Sequence, residues 1–113
     1  GKVRFWEHDL ANEWIATIKR KDKAALKKAA DQESLEYIEG ALSEINPSDK
    51  ISQVVPSVEI ADKDDFKKER IQYVIQFVAG SGDDGVECDF RFEMKGSKFV
   101  LVEATYEFLG DEG

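Results

Sequence analysis

His8 is the only histidine in the chain, so a Ser-His-Asp triad or a histidine-rich metal site would have to be built on it. It stands beside Trp6 and Glu7 and just ahead of an expected helix cap at Asp9, which reads as a terminal surface residue rather than a general base. Asp83, Asp84, Glu87 and Asp89 gather carboxylates at one hairpin end, where they could attract calcium. Their spacing departs from that of an EF-hand loop, and Gly-Asp combinations are ordinary turn chemistry, so no metal site is expected. The single Cys88 falls on the apolar face of a strand and reads as a small buried hydrophobe, not a reactive thiol. Lys19, Arg20, Lys21, Lys23, Lys27 and Lys28 form a basic patch without interleaved aromatics, which reads as a solvated helix end. The sequence contains no Gly-rich phosphate loop and no paired-cysteine zinc motif. The reading is therefore of a non-enzymatic chain with no catalytic residues and no cofactor.

The frame for these residues is bounded by size and composition. A chain of 113 residues is read as one α+β domain, 1–113, with enough length to bury a core. Two Trp, three Tyr and seven Phe, at 42% hydrophobic residues, exclude disorder despite 35% charge. The formal charge of −8 disfavours nucleic acid and anionic membranes, whose phosphate affinity is cation-driven, and favours a basic partner. No apolar run approaches the roughly 18 residues of a membrane span, and no signal peptide is read. One unpaired cysteine and an opening Gly1 fit either a cytoplasmic protein or an exported domain that has lost its targeting segment.

The first half is patterned as three helices. Leu10, Trp14, Ile15 and Ile18 predict a helix over 9–20, Asp22 can cap a short one over 23–30, and Leu35, Ile38, Leu42 and Ile45 predict a third over about 33–45. Asn46-Pro47 ends the third, because the residue before proline disfavours the helical region.

The second half is patterned as a four-stranded antiparallel meander. Residues 51–60 carry Pro56 and should form an edge or bulged strand, and the charged stretch Asp62 to Arg70 reads as a loop. Ile71, Tyr73, Ile75, Phe77 and Ala79 alternate over a second strand. Val86, Cys88, Phe90, Phe92 and Met94 alternate with Glu87, Asp89, Arg91 and Glu93 over a third. The last carries Val100, Val102, Ala104, Tyr106 and Phe108. Facing apolar sides pair Tyr73 with Phe92, Ile75 with Phe90 and Phe77 with Cys88. In the final hairpin they pair Met94 with Val100, Phe92 with Val102, Phe90 with Ala104, Cys88 with Tyr106 and Val86 with Phe108. Arg91 then lies opposite Glu103 on the outer face.

Two stretches resemble the nuclear transport factor two-like superfamily of cystatin-like α+β cones. Trp14 to Leu26, WIATIKRKDKAAL, is similar to the opening of that family, and Gly96 to Phe108, GSKFVLVEATYEF, to its closing strand. The resemblance implies three helices packed on a curved sheet around a conical pocket, with Trp14, Tyr37, Tyr73, Phe90 and Tyr106 as pocket candidates. Enzymes of that family place Asp, His or Tyr acid/base groups inside the cone, whereas the inward face here carries no carboxylate and no histidine. The family also commonly forms dimers through the outer sheet surface.

Association is therefore the leading functional expectation: a protein partner or homodimer docked on an outer face where Val74, Val78, Phe99 and Leu101 collect, in a module of a larger envelope or secretion-associated protein. One alternative is an acidic immunity-type protein that neutralises a basic toxin. The other is a pocket for a small apolar ligand.

Overall fold

The computed structural model describes residues 12–61, 70–80, 84–96 and 98–110. His8, the Asp9 cap, Leu10, the charged stretch over 62–69 and Asp83 lie outside the described residues. Helix α1 covers 12–19 and ends in a Schellman turn: Lys21 takes the left-handed conformation at φ 57°, and the Asp22 amide reaches back to the Thr17 carbonyl at 3.1 Å. Asp22 then caps α2 (Lys23–Lys28) by accepting from the Ala25 amide at 3.2 Å, as its position predicts. A short 3-10 turn, Gln32–Ser34, leads into α3 (Leu35–Ser43), which is shorter at both ends than the stripe suggests. After it, the Asn46 amide donates to the Asp49 carboxylate at 2.7 Å in the turn around Pro47.

The sheet has four antiparallel strands in the order of the chain: β1 (Ile51–Ala61), β2 (Arg70–Ala79), β3 (Val86–Lys95) and β4 (Lys98–Phe108). The fold is thus α+β with a four-stranded meander. β1 is an edge strand and is also bulged, between Ser52 and Val55, where Gln53 takes φ 53°. The β2–β3 register is the expected one throughout, with Tyr73 opposite Phe92, Ile75 opposite Phe90 and Phe77 opposite Cys88. Gly80 leaves β2 at φ 108°, and a side chain there would press on the Gly85 Cα at 3.1 Å.

The β3–β4 register matches expectation in one half only. From Val86–Phe108 to Arg91–Glu103 the pairs are as read from the sequence. Beyond a bulge at Val102, Phe92 faces Leu101 and Met94 faces Phe99. The cause is the turn. Pairing of Lys95 with Lys98 leaves only two residues to reverse the chain, so the strand starts one residue out of phase with the apolar pattern further along, and the bulge absorbs the difference.

The core lies between the helices and one sheet face. Ile18, Leu26, Ile38, Ala41, Leu42 and Ile45 pack on Ile75, Phe77, Cys88, Phe90, Phe92 and Leu101, all buried. Each such large apolar side chain contributes roughly 1.5–3 kcal/mol on leaving water.

Candidate functional site

Among the described residues the five pocket candidates do not line one shared groove. Trp14 stacks on Phe92 at 5.0 Å, Phe90 meets Phe77 edge-on at 5.2 Å, and Tyr73 meets Phe99 edge-on at 5.3 Å. Tyr37 stands 75% exposed, because the buried stripe of α3 is Ile38, Ala41 and Leu42 and turns its neighbour outward. Tyr106 is 42% exposed against Phe108. A shallow groove of about 420 Å³ does occur, floored by Trp14, Ala25, Ala29 and Phe99, with Glu13, Lys28 and Lys98 at its rim. Trp14 is its only residue among the pocket candidates.

Two of the four interface candidates change faces. Phe99 and Leu101 lie on the helix side of the sheet and are buried in the core, because the bulge at Val102 reverses the phase of the strand before it. Val74 and Val78 keep the outer face, but each is only 5% exposed, between Ser57 and Arg91 and between Ser52 and Glu87. Neither offers apolar area to a partner.

What the outer face carries is a polar chain across all four strands. Arg91 on β3 donates to Glu59 on β1 at 2.6 Å, lies 3.3 Å from Glu103 on β4, and donates to the side-chain Oε1 of Gln72 on β2 at 3.4 Å. Gln72 in turn donates to the buried Glu93 at 2.9 Å. The hydrogen bond from Arg91 to Glu59 holds the guanidinium pKa above its ordinary value, against a smaller opposing effect of burial. Toward the other end of β3, Glu87 sits directly opposite Glu107, a like-charge pair with no ion-pair partner among the described residues, and the buried Oδ1 of Asp89 has no hydrogen-bond partner.

Cys88 is buried, as expected. Burial first, then Asp89, Glu87, Asp49 and Glu44, push its thiol up to about 12, so it is a poor nucleophile. Among the described residues no group of three or more His, Cys, Asp or Glu is placed to hold a metal, and no helix is long and apolar enough to cross a membrane. In the basic patch, Lys19, Arg20, Lys27 and Lys28 are exposed.

The two edges of the sheet differ in a way the sequence pattern does not announce. The Leu109 amide donates to the Gly85 carbonyl at 3.0 Å, which marks Gly85 and Leu109 as a hydrogen-bonded pair. Antiparallel pairs alternate, so Glu107 and Thr105 spend their main-chain groups on β3, while Phe108, Tyr106 and Ala104 turn theirs to the open edge. Carried across the sheet, the same alternation turns the nitrogen of Pro56 outward on β1, where a donor is missing. The first half of β1, from Ile51 to Pro56, is thus blunted by a proline and a bulge. The start of β4 is covered, because Leu101 exchanges 2.8 Å hydrogen bonds with Ala29 and Asp31. From Ala104 to Phe108 neither device is present among the described residues, and Tyr106, Phe108 (50% exposed) and Leu109 lie bare beside the unpaired groups.

Phe108 and Leu109 were not among the candidates. The available signal was the order of a meander, which leaves its last strand at an edge. Searches against protein-family models, curated proteins and solved structures give no match.

Proposed function

We propose that the chain is a non-enzymatic association domain that works through the open half of β4, not through the outer sheet face. One observation carries this reading: Ala104, Tyr106 and Phe108 direct outward main-chain groups past an exposed aromatic pair, on a stretch of sheet edge that, among the described residues, has no proline, bulge or covering segment. An edge of this kind is a template for an incoming strand. Helices preceding a four-stranded meander also support, as a proposal, the cystatin-like frame, in which association is a common use of the sheet.

The experiment is sedimentation velocity over a wide concentration range, for the wild type and for Phe108→Lys, which places a charge on the edge and removes apolar area. Association by the wild type that is lost in the variant, with the circular dichroism unchanged, supports the reading. A wild type that stays monomeric throughout, or association untouched by the substitution, overturns it.

A second reading, an acidic face for a basic partner such as a toxin, is favoured by Glu87 opposite Glu107 and by the unpartnered Asp89 oxygen. Nearby cations would relieve both. Such binding would weaken steeply with salt, unlike strand pairing.

A further inference from the structure

We propose that the occupant of the β4 edge is a second copy of this chain, paired antiparallel about a two-fold axis at Tyr106, giving a closed dimer with one continuous sheet. This rests on the edge-association reading above and adds partner, register and stoichiometry.

Register follows from main-chain direction and charge. On the uncovered part of β4 only Ala104, Tyr106 and Phe108 point outward, so a symmetric antiparallel pairing must match these residues with one another. With Tyr106 opposite its own copy, Ala104 meets Phe108 on each side, and all three positions engage, for about six main-chain hydrogen bonds. The small Ala104 faces the large Phe108. On the other face Thr105 meets Glu107, and Glu103 meets Leu109.

The neighbouring registers are worse. Moving the axis to Glu107 sets that carboxylate against its own copy. Moving it to Thr105 sets Glu103 against Glu107 and runs Phe108 into the bulged segment next to the part of β4 that Ala29 and Asp31 already cover. The axis at Tyr106 avoids every direct contact between like charges along the seam.

Stoichiometry follows from the two-fold symmetry. In the paired assembly both outer strands are β1, where the outward nitrogen of Pro56 cannot donate and the bulge at Ser52–Val55 distorts the ladder. An isologous two-fold contact is closed, so addition through the β4 edge stops at two copies.

Disulfide trapping tests the register at a concentration where sedimentation shows association. Tyr106→Cys, Thr105→Cys and Glu107→Cys are each made on a Cys88→Ala background, because Cys88 lies directly across from Tyr106 within the same chain and would compete. Residues in a hydrogen-bonded antiparallel pair stand about 5.5 Å apart at Cα, within disulfide reach. The expected result is rapid covalent dimer from Tyr106→Cys, at least ten-fold faster than from the other two, and a mass limit of two chains. Faster trapping at Thr105→Cys or Glu107→Cys, or growth beyond two chains, overturns this inference while leaving edge association standing. Absence of any association in the wild type overturns both. Should Tyr106→Cys fold poorly, hetero-trapping of Ala104→Cys with Phe108→Cys reads the same register.

Discussion

Replacing Tyr106 by proline removes one backbone donor, and among the described residues of a single copy that donor has no acceptor. Its neighbour Thr105 is different, since the alternation fixed by the Leu109–Gly85 bond commits the Thr105 amide to Asp89 on β3. Side-chain loss can be subtracted by comparing proline with alanine at each position. At residue 105 the proline penalty comprises a lost ladder bond, an orphaned acceptor on Asp89 and a ring clash, together about 3 kcal/mol. At residue 106 it is only the shift of φ toward about −65° on an edge, about 1 kcal/mol or less. Urea denaturation of dilute protein measures both differences, at concentrations where only single copies are populated. A penalty at 106 equal to or above that at 105 would refute the assignment of outward main-chain groups, and with it the open edge.

Leu101 and Val100 report the phase of β4 before the bulge. Leu101→Ala should lose about 2–5 kcal/mol from a fully buried core site, and Val100→Ala about 1 kcal/mol or less from the opposite face, measured by urea denaturation. The reverse order would restore the unbulged register. Cys88 predicts an alkaline limit: burial pushes its thiol up to about 12 in the folded state, from an ordinary value of 9.0, so the folded state holds the proton more tightly. Its contribution is complete below about pH 9 and is lost as pH rises toward 12, and a pH series of melting temperatures should show a shallower alkaline decline for Cys88→Ala.

The β2–β3 hairpin was legible residue by residue because Val86 to Met94 alternate apolar residues with charges without interruption, so one slip would have set Tyr73, Ile75, Phe77 and Ala79 against those charges. β4 was legible only in part. Phe99 and Leu101 follow one phase, and Ala104, Tyr106 and Phe108 the other, but Val100, Leu101 and Val102 are apolar in succession and hide the switch. Only the length of the turn reveals it. The Arg91–Glu103 pair lies in the half of the hairpin that keeps the expected register and was read correctly, with Phe90 and Ala104 together on the helix side. The candidate site was half visible: the sequence singles out Tyr106, but as a pocket residue. Its exposure depends on how far the helices and the Ala29–Asp31 segment extend along β4, which is decided by tertiary packing rather than by periodicity. The same is true of Tyr37, adjacent to the stripe of α3 and yet turned away from it.

Amide hydrogen exchange across a dilution series tests the open, self-pairing edge most directly. Thr105 and Glu107, bonded to β3, should be protected at every concentration. Ala104, Tyr106 and Phe108 should exchange nearly as fast as an open chain when dilute, and slow together as concentration rises through the association range. Protection of those three amides in dilute protein, or fast exchange that concentration does not change, would contradict the account.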